Sequence, residues 1–211
     1  MNVICNTCLG ARLYQLSKIQ YSNPFMWNII EADSMINLIS KFNSINFSNI
    51  TVLESDYISR SKPWRKQYVE KNEPLPVIYK IVIDDIIEVH YLHYKLDVNY
   101  SSPTIKDIDV YYNKIWEYIF NRYIERIKRM INAHELPTFV ISTAEESYSV
   151  EKQNQLIDVI NNSPYKMCII TSDLAENIIN NAIIINADIK SMNNTMLQAR
   201  TFRQIIMSHQ S

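Results

Sequence analysis

The sequence predicts a single α/β domain over residues 1–211: a mixed, mostly parallel sheet in a three-layer arrangement, with helices on both faces. Three observations lead there. Short β-branched runs alternate with stretches of helical spacing through the second half, the β-α-β rhythm that pairs strands in parallel. Hydrophobic residues make up 47% of the 211, enough for one sizeable core. No repeat, low-complexity tract or linker divides the chain.

The elements follow in order. Val3 to Cys5 is a short apolar strand, and Leu9 to Ile19 a helix after a turn. The Ser22-Asn23-Pro24 step breaks the chain, and Phe25, Met26 and Trp27 follow as an apolar anchor. Ala32 to Phe42 has helical spacing, with Met35, Leu38, Ile39 and Phe42 on one face. Ile50 to Leu53 is strand-like, and the polar stretch 55–76, with Pro63, Pro74, Pro76 and Trp64, reads as a loop or lid. Val77 to Tyr94 alternates around Asp84-Asp85, predicting two strands and a turn. Asp107 to Ile131 reads as a long helix whose apolar stripe runs through Ile115, Ile119, Ile127, Met130 and Ile131. Pro137 to Ser142, Lys166 to Thr171 and Ile183 to Ile185 are strands; Val150 to Ile160 and Asn194 to Met207 are helices.

Composition narrows the function. A net charge of -1 argues against a dedicated nucleic-acid binder, which carries a basic excess. Three cysteines do not make a disulfide framework and fit a reducing, cytoplasmic setting. The opening Met1-Asn2-Val3-Ile4 has neither the basic nor the apolar region of a signal peptide, and no apolar run reaches membrane-spanning length. Asn, Ile, Lys and Tyr are abundant at the expense of Gly and Ala, which reads as the codon supply of an AT-rich genome. With one glycine in the chain, the Gly-rich loops of dinucleotide and nucleotide phosphate sites are excluded, and no cofactor is implied.

That glycine, Gly10, stands two residues after Cys8, where it supplies either a positive φ or a close backbone approach. A thiol at the start of a helix lies near N–H groups whose partial positive charge favours the thiolate. Cys8 is therefore the candidate nucleophile, with His93 as its base. Glu145, after the strand ending at Ser142, can orient that imidazole; alternatively, Glu145 and Glu146 open the next helix and complement its dipole. The bland alternative for the pair is a core histidine and a small buried thiol. Cys5 and Cys8 with His90 and His93 resemble a zinc set, but residues three apart on a strand face opposite ways, so no metal is expected. Arg122 and Arg126, at i and i+4, can present two guanidinium groups to a phosphate or carboxylate. The expectation is that Cys8, His93 and Thr143 to Glu146 meet in one cleft outside the carboxyl ends of the strands.

These motifs resemble a bacterial family, the domain of unknown function numbered nineteen-nineteen, which is linked to exopolysaccharide biosynthesis. The resemblance rests on Ile4-Cys5-Asn6-Thr7-Cys8-Leu9-Gly10-Ala11, then Tyr14-Gln15, Tyr21 and Pro24-Phe25. It continues in Asp84-Asp85 through His90-Tyr91-Leu92-His93-Tyr94-Lys95, and in Asn121-Arg122 through Arg126, Lys128 and Ile131-Asn132. Papain-like cysteine peptidases share a similar Asn-Cys opening. Within the resemblance Cys8, His90, His93 and Asn6 match family residues, whereas Cys5 stands where serine is expected and Ala11 replaces a second glycine.

The resemblance implies an α/β protein encoded among capsule genes. The expected activity is acyl or glycosyl transfer on an activated sugar or glycan acceptor, with Cys8, His93 and Glu145 catalytic. Asn6, Gly10, His90, Arg122, Arg126 and Trp64 would line the substrate. A papain-like hydrolase and a non-catalytic sugar-binding or assembly protein are the rivals. No nucleic-acid or membrane-spanning role is expected, and the sequence specifies no oligomeric state.

Overall fold

A computed structural model describes residues 2–7, 9–18, 20–26, 28–54, 79–91, 121–133, 135–143, 148–171 and 182–186. Among these residues lie eight strands: β1 (Val3–Cys5), β2 (Asn28–Ile29), β3 (Ile50–Glu54), β4 (Tyr79–Ile83), β5 (Ile87–Tyr91), β6 (Thr138–Ser142), β7 (Lys166–Thr171) and β8 (Ala182–Asn186). The helices are α1 (Leu9–Ser17), α2 (Ala32–Lys41), α3 (121–132) and α4 (Val150–Asn161).

The α/β class is as expected, but the strands form two four-stranded sheets instead of one. The first, in the order β1-β6-β7-β8, is parallel throughout; the second, β2-β5-β4-β3, is antiparallel. The reason for the split lies at β2, which the apolar reading of Phe25 to Trp27 did not anticipate. Among the described residues, one main-chain bond, Ile30 N to Asn6 O at 2.9 Å, spans from the end of β2 to the end of β1. One main-chain bond does not make a ladder, and the other ties between these strands are made by side chains.

Strand alternation divides the core. Val3, Cys5 and Val140 pack with Leu9, Ala11, Leu13 and Tyr14 of α1. Ile4, Phe139 and Ile141, one residue out of phase, pack with Met35, Leu38 and Ile39 of α2, Ile127 of α3 and Leu156 and Ile160 of α4. Each fully buried Leu, Ile or Met contributes roughly 1.5–3 kcal/mol. Ile81, Ile83, Ile87 and Val89 turn the inner face of the antiparallel sheet to the same larger core.

Local chemistry sets the ends. Ser149 caps α4, its hydroxyl accepting from Lys152 N, and Glu151 supplies the first-turn acid. Glu145 and Glu146 lie outside the described residues. The Asp84-Asp85 turn forms as expected, with both φ values positive (51° and 57°) and Ile86 N bonded to Ile83 O. Asp84 offsets that conformation by accepting from Asn46 N and Asn49 Nδ2. On α3, Tyr123, Ile127 and Met130 are buried, but Ile131 is 57% exposed. The inward stripe advances by i, i+4 and i+7, and Ile131 lies a further 100° round the helix. The expected helix over Asn194 to Met207, the loop 55–76 and the first part of the long helix lie outside the described residues.

Candidate functional site

At the carboxyl end of β1 the chain leaves the sheet, and a side chain continues the ladder. The Asn6 amide behaves like a peptide unit: its Nδ2 donates to Ser142 O at 2.8 Å and its Oδ1 accepts from Ser142 N at 2.9 Å. The second Nδ2 hydrogen goes to the Tyr148 hydroxyl at 3.0 Å, which in turn donates to Ile30 O at 3.5 Å. With the Ile30 N to Asn6 O bond, this closes a buried ring around the ends of β1, β2 and β6. Asn6 is wholly buried, and its amide hydrogens serve this clamp. Its task here is to position the turn that follows.

The turn is built from Thr7 and Gly10. The Thr7 hydroxyl accepts from Leu9 N at 3.3 Å, and Thr7 O accepts from Gly10 N at 3.4 Å. Gly10 lies inside α1, and no glycine has a positive φ. Close approach is what requires it: a Cβ at Gly10 would meet Cys5 Cβ at 2.8 Å. Glycine therefore lets α1 seat directly on β1. The Cys5 thiol is fully buried, with Sγ 3.6 Å from Thr7 Oγ1, and burial pushes its pKa up. Cys5 stays protonated and packs as a small apolar group. Cys8, between Thr7 and Leu9, lies outside the described residues.

His90 is carried by β5, opposite Ile29 of β2 and Lys80 of β4. It lies on the sheet face opposite Ile81, Ile83, Ile87 and Val89 yet is only 3% exposed. Glu88 shares that face, as strand alternation predicts, and pairs with Lys80 at 3.1 Å. A second tie, Asn28 Nδ2 to Cys5 O at 3.5 Å, links β2 to β1. Asn6, Gly10 and His90 therefore belong to one connected region, in which β2 bridges the Cys5–Asn6 turn and the strand bearing His90.

The arginines belong elsewhere. Arg126 is 7% exposed and stacks its guanidinium 5.0 Å from the centre of the Tyr21 ring. Tyr21 meets Tyr14 edge-on, and the Tyr14 hydroxyl accepts from Val3 N, at the amino end of β1. Arg122 is exposed and pairs with Glu125 at 3.3 Å. Of the two arginines expected to face a phosphate or carboxylate, Arg126 is buried against the Tyr21 ring and Arg122 is exposed and paired with Glu125. Of the remaining candidates, His93, Glu145 and Trp64 lie outside the described residues.

Sequence reasoning missed Ser142 and Tyr148, since Ser142 acts through its main chain and Tyr148 has no motif around it. It also missed Asn23 and Asn28, which were hidden among many asparagines. No helix among the described residues is long and apolar enough to cross a membrane. No group of three or more His, Cys, Asp and Glu among them could hold a metal ion. No protein-family model matches the chain, and no curated protein matches its sequence.

Proposed function

We propose that this chain is a cytoplasmic, three-layer α/β protein of surface-polysaccharide biosynthesis, of the nineteen-nineteen kind. In this reading it transfers an acyl group from an activated donor to a sugar or glycan acceptor. The observation that carries the reading is the Asn6–Ser142–Tyr148 clamp. It holds the turn leading into α1 at the carboxyl edge of the parallel sheet, where open α/β sheets bind their ligands.

Cys8 thiolate attacks the donor carbonyl, forming a C–S bond while the carbonyl π pair moves to oxygen. Collapse of that oxyanion breaks the bond to the leaving group, which takes a proton from His93. The acceptor hydroxyl then gives its proton to His93 and attacks the thioester, returning the thiolate. Glu145 orients the imidazole. The long bonds at Leu9 N and Gly10 N are weak enough for a developing oxyanion to compete for those donors. Transfer of a glycosyl group from a sugar diphosphate is less well supported, because Arg126 stacks on Tyr21 at the other end of β1.

The test is polysaccharide production and acylation in cells carrying Cys8→Ser or His93→Gln at matched protein levels. Both variants should fold and lose activity by several orders of magnitude, about 10³-fold or more, since the attack step itself is removed. A wild-type phenotype for Cys8→Ser ends the thioester mechanism. Donor cleavage with water as the only acceptor would instead identify a cysteine hydrolase.

A further inference from the structure

A cavity of about 490 Å³ opens at the amino-terminal end of β7, where the last turns of α2 and α4 come together. Its size falls in the roughly 300–1,000 Å³ range of small-molecule sites. The floor is apolar, formed by Ile39, half-buried Val159 and Tyr165, a ring only 4% exposed. The rim is polar, with Asn43 and Asp158 among its exposed side chains.

The hydrogen bonds show which rim groups are available. Lys41 O is taken by Ser44 N, Ile45 N and the Ser44 hydroxyl, and Asp158 O by both nitrogens of Asn162. These bonds close the two helix ends. The Asp158 carboxylate and the Asn43 amide, by contrast, have no hydrogen-bond or ion-pair partner among the described residues. Lys41 and Asp158 contribute one charge of each sign. The carbonyl poles of two helices then tip the balance negative, which disfavours phosphate and favours hydroxyl donors.

The geometry points to a binding site for a neutral saccharide of one or two rings. The carboxylate and amide would bind adjacent hydroxyls, with the C–H face of the ring on the apolar floor. This site is separate from the Cys8 turn, which follows the carboxyl end of β1, and does not depend on the proposed transfer reaction.

Saturation-transfer NMR on the full chain tests it with maltose, cellobiose, lactose and diacetylchitobiose, and with UDP as the anionic probe. Concentrations up to about 10 mM detect the millimolar affinity expected of an open site. At least one disaccharide should bind, and Asp158→Ala or Asn43→Ala should weaken it about tenfold with no change in melting temperature. Asn154→Ala, one helical turn before Asp158 and outside the cavity lining, should leave binding intact. Cys8→Ser should also leave it intact, so failure of the Cys8 chemistry and failure of this site are read separately. The inference is overturned if none of the four sugars binds. It is equally overturned if binding survives both cavity variants, or if UDP binds more tightly than every sugar.

Discussion

β1 is held at each end by buried asparagine, and the two ends use the same amide differently. At the amino end, Asn23 Nδ2 faces Val3 O, Asn2 Oδ1 and the Tyr14 hydroxyl, while Asn23 Oδ1 accepts from Phe25 N. Asn2 O accepts from Thr138 N, so the network also fixes the start of β6. Tyr14, Tyr21 and Arg126 stack alongside it. This end is a closed structural joint. At the carboxyl end, Asn6 makes an equally satisfied clamp, but the chain beyond it turns out of the sheet through half-buried Thr7 toward a helix start. One joint ends in packing and the other in a turn that can present chemistry. The residue type does not distinguish them; the direction of the chain beyond the clamp does.

Asn23→Ala should be the most damaging substitution to stability, at about 3–4 kcal/mol, because it strands several buried partners at once. Asn6→Ala should cost about 2–3 kcal/mol by leaving Ser142 N and O unsatisfied. Urea unfolding measures both. The decisive contrast is Cys8 alkylation by iodoacetamide in the folded fraction, read by peptide mass spectrometry. Asn6→Ala should change its rate and Asn23→Ala should not; an equal effect from both would erase the distinction between the two ends.

Gly10→Ala should cost about 1–2 kcal/mol, since the new methyl must push α1 off Cys5 Cβ. It should slow Cys8 labelling as the helix start shifts, and an unperturbed melt would show that α1 yields without cost. The smallest effect concerns alkaline pH. Burial raises the pKa of Cys5 at the carboxyl side and of Tyr14 at the amino side above their ordinary values of 9.0 and 10.0. A raised folded pKa means that the stability is complete below the unfolded value and is lost as pH rises through the folded one. Stability should therefore hold to about pH 9 and then fall by at most about 1.4 kcal/mol per pH unit for each group. Cys5→Ala should flatten the first part of that decline; an unchanged slope would show that the thiol does not contribute.

Periodicity explains why most elements were legible. β1, β3, β6, β7 and α4 depend on local alternation or capping, and their observed ends fall within a residue or two of expectation. β2 was illegible because two residues carry no period; their conformation comes from pairing with His90 and Tyr91. The asparagines misled for a related reason. Their abundance reads as codon supply, yet Asn2, Asn6, Asn23 and Asn28 are all buried. Composition is a property of the whole chain, while burial is a property of position. Gly10 was legible as an exception, although its reason, close approach rather than positive φ, lies in how α1 seats on β1.

The sequence by itself determined the α/β class, the parallel pairing in the second half, the Asp84-Asp85 turn and the glycine after the first strand. Each follows from steric and hydrophobic patterns spanning a few residues. Only the tertiary structure decided that the strands divide into two sheets, that Asn6 clamps Ser142 from 136 positions away, and that Arg126 stacks on Tyr21. Those outcomes depend on which distant groups satisfy a buried donor or acceptor. That requirement acts through space, and no local pattern encodes it.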